Sequence, residues 1–416
     1  MASMTLSARW LFPGDRPPLA HGTVTIADGL IVAIEPAGIR RVDIDLGAAA
    51  LVPGLVNAHT HLDLSDAVGR IPPTPDFTAW IRQVIAHRRQ QTPEQLHNAI
   101  AAGVAESVRH GVTALGDISA QGASWEPLAA ANINAVVYFE AIGLSDERAA
   151  ASLERVQAWL QSRSIQPNLQ PGISPHAPYT VGSRLLKELV ALQSQAHSAN
   201  HPPIPFAIHL GETRDELELL AHHTGAFVEF LKSVGVYEEA AFTRNFQAWL
   251  QCSSPFTLIH GNYLDPAAIA AGNVRAVVYC PRTHAAFGHE PYPLRELLRQ
   301  NLPVALGTDS LASNPDLNIL AEARLVREKF PDIDGATILA MLTRHGATAL
   351  GDDFARRLGT LTPGKDATFT VLTLPNHEAS DPHDLLWEGS VSAVRTMLRG
   401  LWREPTAATF QAGLFA

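Results

Sequence analysis

Short apolar runs and longer stretches of helical periodicity alternate along most of this chain. Residues 6–11, 23–26, 30–34 and 42–46 form brief β-like runs, with Asp28-Gly29 between the second and third. An Asp-Gly pair flanked by such runs is a hairpin signal, because both turn residues must adopt positive φ. These runs predict a small antiparallel unit too short to bury itself. Residues 367–374 (ATFTVLTL) and 391–398 repeat the alternating pattern, after the turn-rich GTLTPGKD stretch. They are its natural partners.

The middle of the chain reads differently. Thr92 followed by Pro93 starts a helix over 92–110, with Leu96, Ile100, Val104 and Val108 at four-residue spacing and Gly111 closing it. Strand-like runs recur at 112–115, 135–139, 168–173, 205–210, 256–259, 276–279 and 304–306. With the apolar stretch that begins at Leu51, they make eight. Alternating strands and helices predict a parallel sheet, here a (β/α)8 barrel of the TIM type, with a doubly wound sheet as the alternative. The expected division is a barrel over 53–358 and a β unit built from 1–52 and 359–416. The segment between His209 and His260 is long for one barrel unit. Its stripe of Leu217, Leu220, Phe227 and Leu231 predicts an added helix that covers the site or makes an oligomer contact.

Composition narrows the partners. A hydrophobic content of 46% supports a large core, and a net charge of −10 argues against nucleic acid or an anionic membrane surface. Two cysteines, Cys252 and Cys280, give no disulfide framework. There is no long apolar run at the N-terminus or elsewhere, so a soluble, cytoplasmic protein with a small-molecule substrate is expected.

The chemistry concentrates where strands end. In LVPGLVNAHTHLDLSD, Pro53 and Gly54 kink the chain, and His59 and His61 then stand two residues apart. On a strand, such residues face the same side, so both imidazoles can reach one point. Two converging imidazoles suit zinc or iron. The fifth strand ends in His209 and Glu212, the sixth in His260 and the eighth in Asp309. Active sites of such barrels lie at these strand ends. Asp63 and Asp66 are read as loop acids.

The run Pro53-Gly54-x-Val56-Asn57-x-His59-x-His61-Leu62 resembles the first strand of the amidohydrolase superfamily. That resemblance implies a barrel flanked by a β-sandwich made from both chain ends. It assigns His59, His61, His209 and Asp309 to one divalent metal, Zn(2+) or Fe(2+). Binuclear relatives carry a bridging lysine on the fourth strand; LQPGISPHAPYT has none, so one ion is expected. The spacing His209-x-x-Glu212 resembles the deaminase and chlorohydrolase branch, in which the glutamate shuttles a proton and the sixth-strand histidine, His260, polarises water or touches substrate. A divalent metal lowers the pKa of bound water from about 15.7 to about 7. Asp309 can take that proton, and a protonated Glu212 can deliver one to a ring nitrogen as hydroxide adds to carbon.

Two loops are expected to read the substrate. Ser174-Pro175-His176-Ala177-Pro178-Tyr179-Thr180 is similar to a segment of adenosine- and S-adenosylhomocysteine-type deaminases, which implies a substrate contact for His176. Cys280-Pro281-Arg282-Thr283-His284 departs from the Pro-x-Ser-Asn of nucleoside-directed relatives and resembles futalosine-type deaminases, whose substrate carries a benzoate. Arg282 there binds a substrate carboxylate or sits in a structural salt bridge, with His284 beside it. Trp80 and Phe77 are expected to cover the site, and Ser310 and Asn314 to shape the rim around Asp309. The reading is a deaminase of an adenine-bearing compound of the aminodeoxyfutalosine or S-adenosylhomocysteine type. The alternatives are a chlorohydrolase or cyclic-amide hydrolase using the same site, and a non-catalytic scaffold. The family also implies a possible homodimer.

Overall fold

In the computed structural model, which describes residues 3–198, 203–242 and 246–403, Asp28 and Gly29 both have positive φ, 52° and 77°. They form the predicted hairpin between Thr23–Ala27 and Leu30–Glu35. That hairpin joins Ser3–Ser7 and Ile44–Asp45 in a four-stranded sheet. A six-stranded sheet lies against it. There Ala49–Pro53 pairs antiparallel with Phe369–Thr373, in the register Leu51↔Val371 and Val52↔Thr370. Leu6, Val24, Ile31, Leu51, Phe369 and Met397 close the core between the sheets. The sandwich is thus made from both chain ends, as the resemblance implied. The expected 1–52 and 359–416 unit includes 1–2 and 404–416, which lie outside the described residues.

The apolar stretch that begins at Leu51 is two strands. Ala49–Pro53 belongs to the sandwich, and Leu55–Thr60 opens the barrel. Gly54 is the joint. A Cβ there would stand 2.2 Å from the Thr113 hydroxyl, so the two bodies meet too closely for any side chain.

We number the barrel strands β1 (Leu55–Thr60), β2 (Val112–Ser119), β3 (Asn134–Ala141), β4 (Leu169–Pro175), β5 (Ala207–Leu210), β6 (Phe256–His260), β7 (Val274–Tyr279) and β8 (Val304–Leu306). They form two parallel four-stranded sheets, β1 to β4 and β5 to β8. Single parallel bridges close both seams: Ile173↔Phe206 joins β4 to β5, and Thr60↔Asp309 joins the far edge back to β1. The closed barrel, rather than the doubly wound sheet, is therefore the architecture. The helix Pro93–Arg109 starts with the predicted Thr92 cap, completed by Gln95 into a reciprocal capping box.

Two features position the site. Helix Phe77–Gln90 follows β1, and Asp76 caps its N-terminus by accepting from the Ala79 N–H. The long segment after β5 includes the helices Arg214–His222 and Ala226–Ser233. Phe227, Phe230 and Leu231 pack with Phe77 and Tyr179, so this insertion covers the barrel mouth. Among the described residues no helix is long and apolar enough to cross a membrane.

Candidate metal centre and active site

Four imidazoles converge at the C-terminal end of the barrel. The His59 ring centroid lies 4.9 Å from those of both His61 and His209 and 5.7 Å from that of His260. Asp309 Oδ1 is 3.4 Å from His59 Nε2 and 3.7 Å from His61 Nε2. Ligand atoms of three overlapping triples, His59/His209/His260, His59/His61/Asp309 and Glu212/His260/Asp309, each lie within 4.8 Å of one another. The shared members make this one centre.

The donor set fits a divalent metal. Both ring nitrogens of buried His59 lack a hydrogen-bond partner, which is costly in a core unless an ion completes them. His209 donates from Nδ1 to the His176 carbonyl at 2.9 Å, which leaves the Nε2 lone pair directed at the centre. Burial, then His59, pushes His61 down to about 3, and burial pushes His260 to about 3. His209 is driven well below its usual range by burial and by the neighbouring rings. Metal ligation needs neutral imidazoles, and these are neutral. Burial alone would raise the Asp309 carboxyl, but His59, His61 and His260 hold it below the usual carboxylate range. Ser313 also donates to its Oδ2 at 3.1 Å.

His260 and Asp309 are both held at positive φ, 70° and 56°. Such conformations cost free energy for residues with side chains and concentrate at functional sites. Here they turn each side chain from its strand end toward the centre.

Glu212 lies on the other side of His260, with Oε1 3.4 Å from His260 Nε2. Burial, reinforced by the Asp309 and Glu216 charges, raises its pKa well above the ordinary range and so favours its protonated form. Its backbone is clamped. Gly211 and Glu212 both donate their N–H groups to the buried Glu216 carboxylate, at 2.8 and 3.1 Å. Asn262 donates to the Glu212 carbonyl at 2.9 Å. Gly211 itself sits at φ 66°, the conformation that turns the chain between His209 and Glu212.

A cavity of about 760 Å³, its mouth included, opens from the cluster. His61, His176, His209, Glu212, His260 and Asp309 line its polar floor, and Phe77, Trp80, Ile81, Tyr179 and Phe230 its apolar wall. Trp80 is anchored by its indole N–H, which donates to the Ala312 carbonyl at 3.0 Å. Phe77, beside Trp80, also lines the cavity wall. His176 faces the cavity, with Nε2 3.7 Å from Glu140 Oε1 and its Nδ1 2.8 Å from the Thr180 hydroxyl. Asn314 donates to Glu322 and to the Thr308 carbonyl, both at 2.7 Å, and so shapes the loop beyond Asp309.

Two expected substrate contacts are not brought to this cavity. Arg282 pairs with Asp316 at 2.6 Å and lies 3.8 Å from buried Glu322, on the far side of the loop after β7. Its guanidinium is spent on those carboxylates, so the salt-bridge alternative is the one the geometry favours. His284 packs against Tyr279, His289 and Tyr292, away from the cavity lining.

The sequence reading also missed a charged group in the wall. Arg88, from helix Phe77–Gln90, reaches Asp63 at 2.8 Å and Glu140 at 3.0 Å. Asp63 is thus a buried partner, not a free loop acid. Glu140 stands near the end of β3 and was open to the same strand-end survey that found Asp309. Arg88 gave no signal, since it is one of three basic residues in a row at a helix end.

An eight-stranded α/β barrel with a divalent-metal site at its strand ends is the class that this fold and cluster define. The model of the amidohydrolase family matches residues 50–407, and the chain belongs to that family. It is 27% identical over 376 residues to the 5-methylthioadenosine/S-adenosylhomocysteine deaminase of Haloarcula marismortui, covering 86% of this chain and 81% of the relative. It is 28% identical over 360 residues to the aminodeoxyfutalosine deaminase of Deinococcus radiodurans, covering 79% and 81%. Among solved structures, Helicobacter pylori aminofutalosine deaminase in complex with methylthio-coformycin superimposes with a TM-score of 0.84 at 21% identity, over 96% of this chain and 100% of that one. An adenosine deaminase from Xanthomonas campestris with bound zinc gives a TM-score of 0.78 at 23% identity, over 96% and 92%.

Proposed function

We propose that the protein is a zinc-dependent aminohydrolase that replaces the exocyclic amino group of an adenine-type ring with oxygen and releases ammonia. The observation that carries this reading is the position of the buried Glu212 carboxyl, 3.4 Å from His260 beside the metal cluster. Expulsion of ammonia from an aromatic ring uses an acid there, because the ring nitrogen must take up a proton as water adds to the neighbouring carbon. The names of the relatives above agree with it.

His59, His61, His209 and Asp309 would hold the ion, which when bound acidifies water to the neutral range. The chain's own groups do the rest. Asp309 is ionised and accepts the proton that the attacking water gives up. Glu212 holds its proton at Oε and delivers it to the ring nitrogen. His260, neutral and 3.4 Å from Glu212, orients the attacking water between acid and cluster. Trp80, Phe77 and Phe230 exclude bulk water and sandwich the ring. Water is consumed: Asp309 passes the proton it took to the amino group, which leaves as ammonia, and the proton of the added hydroxyl restores Glu212 as the carbonyl forms.

The test is ammonia release by the zinc-loaded protein from a panel of adenosine derivatives, beside chloride release from the corresponding chloropurines. Ammonia from at least one adenine compound is expected. Chloride release without ammonia, or neither product, defeats the reading.

A further inference from the structure

Neither Arg282 nor His284 lines the site cavity, which leaves the loop after β7 without the task its sequence suggested. The far end of that loop reads Glu290-Pro291-Tyr292-Pro293. Proline on either side restricts the backbone around Tyr292. The Leu294 N–H donates to the Tyr292 carbonyl at 2.9 Å, where helix Leu294–Arg299 begins. The Tyr292 ring is buried, and its hydroxyl donates to the His260 carbonyl at 3.0 Å.

That bond falls at a strained point. His260 ends β6 at φ 70° and Gly261 follows at φ 67°, so the chain leaves the strand through two left-handed residues in succession. Glycine accepts this conformation freely, and histidine does not. A costly backbone conformation persists only where its surroundings fix it from several sides. On one side the Gly261 N–H donates to the Leu210 carbonyl at 3.0 Å. On the other is the Tyr292 hydroxyl. Tyr292 also stacks on Tyr279, with centroids 3.8 Å apart and planes 6° apart. Aromatic pairs favour offset or edge-on contacts over such a face-to-face one, so stacking alone does not account for where the ring sits. A second fastening runs outside this one. Arg214, two residues past Glu212, pairs with Glu290, and the Tyr263 hydroxyl lies 3.0 Å from His289 Nδ1. The Arg214 and Glu290 side chains are 65% and 60% exposed, so their pair contributes little. The buried Tyr292 bond is the stronger restraint.

We propose that Tyr292 is a positioning residue for His260. This rests on the deaminase reading, in which the His260 imidazole, 3.4 Å from Glu212, orients the attacking water. Tyr292 does not line the cavity and acts through the backbone. By holding the His260 carbonyl it sets the φ that aims the imidazole at Glu212. Without the hydroxyl, His260 relaxes toward an ordinary negative φ, and its ring leaves the line between acid and cluster. Substrate binding does not depend on that line; the chemical step does.

The experiment uses the zinc-loaded full chain and Tyr292→Phe, which keeps the ring and removes only its oxygen. On an adenosine derivative that yields ammonia, kcat is expected to fall by about tenfold to a hundredfold, the cost of displacing a reacting group by about 1 Å, with KM within about twofold of wild type. Zinc content is expected to stay the same. Tyr279→Phe removes the other hydroxyl of the stack and is expected to match wild type. A second comparison isolates the path. In a His260→Asn background, asparagine accepts a positive φ and no imidazole is left to aim, so Tyr292→Phe should leave the residual rate unchanged. A loss of the same size in that background overturns the proposal. So does a Tyr292→Phe enzyme with wild-type kcat, or one that loses zinc or unfolds, since the bond would then be structural alone. The direct readout is independent of turnover. With isotopically labelled histidine, the imidazole resonance identified by its absence in His260→Asn should move in Tyr292→Phe and not in Tyr279→Phe. If wild type releases no ammonia from any adenine compound, the deaminase reading fails, and this resonance still decides the placement of His260: an unmoved signal defeats it.

Discussion

His59 and Asp309 meet twice. The His59 carbonyl accepts the Asp309 backbone N–H at 3.1 Å, and the His59 Nε2 lies 3.4 Å from the Asp309 carboxylate. One residue is on β1 and the other just beyond β8, so the contact that closes the barrel also brings two candidate metal ligands together. Thr60 adds a hydroxyl bond to the Asp309 carbonyl at 3.1 Å. The centre therefore needs no separate scaffold, because barrel closure builds it.

Metal removal is the first consequence. The purified protein is expected to hold one divalent ion per chain, and His59→Ala to hold almost none, measured by elemental analysis. Chelation should lower Tm and zinc should restore it, since an ion that binds only the folded chain stabilises it by about 4 kcal/mol at a thousandfold excess over Kd. Two ions per chain at saturation would contradict the single centre.

Glu212→Gln removes the proton without removing the shape. Ammonia release is expected to fall by about 10² to 10⁴ in kcat. Metal content should stay at the wild-type level, because Glu212 is placed outside the ligand set. Loss of the ion in this variant would move Glu212 into that set.

Glu216 provides a pH signature. Burial raises its carboxyl to about 7, against the opposing pull of the Gly211 and Glu212 amides. A folded-state pKa above the unfolded one means that the folded chain binds the proton more tightly. The resulting stability is present below the unfolded carboxyl pKa near 4.5 and is lost as pH rises toward 7. Glu216→Gln cannot titrate, so the stability of wild type relative to this variant should decline between those two pH values. Denaturant melts at both ends of the window measure it; a difference that grows with pH would show the sign to be wrong.

Arg88 closes a buried ion group with Asp63 and Glu140. Arg88→Met leaves two carboxylates without their cation, which typically costs about 3 to 5 kcal/mol. The low end is expected, because the Arg88 side chain is 25% exposed while its partners are buried. Thermal melts of this variant and of Arg88→Lys separate charge from fork geometry.

Arg282→Met tests the correction made at the loop after β7. With its guanidinium engaged by Asp316 and Glu322, kcat/KM on a carboxylate-bearing substrate is expected to stay within about twofold of wild type, as for changes away from a binding site. A drop of about tenfold or more would return Arg282 to the site.

The sequence carried the barrel and the metal cluster because both depend on local patterns. Alternation marks a strand, and a histidine or acid at its C-terminal end is visible as a residue type at a position. His59, His61, His209, His260 and Asp309 were all found this way. The split at Gly54 was hidden, since apolar residues continue across two sheets and only the close approach of Thr113 reveals the joint. Arg88 and Arg282 were hidden for a different reason. An arginine's role depends on which carboxylate its long side chain reaches, and that partner lies far away in sequence. Loop resemblance pointed to Arg282, whose partners Asp316 and Glu322 lie 34 and 40 residues further along the chain.

The seams of the barrel bear on how the molecule assembles. Each four-stranded half brings part of the proposed coordination set: His59 and His61 from the first, His209 and Asp309 from the second. Parallel bridges join the halves at each edge. Neither half alone can complete the sphere, so capture of the ion reports that both have docked. Appearance of a metal signal during refolding would clock barrel closure directly, apart from the earlier formation of helices and hairpins.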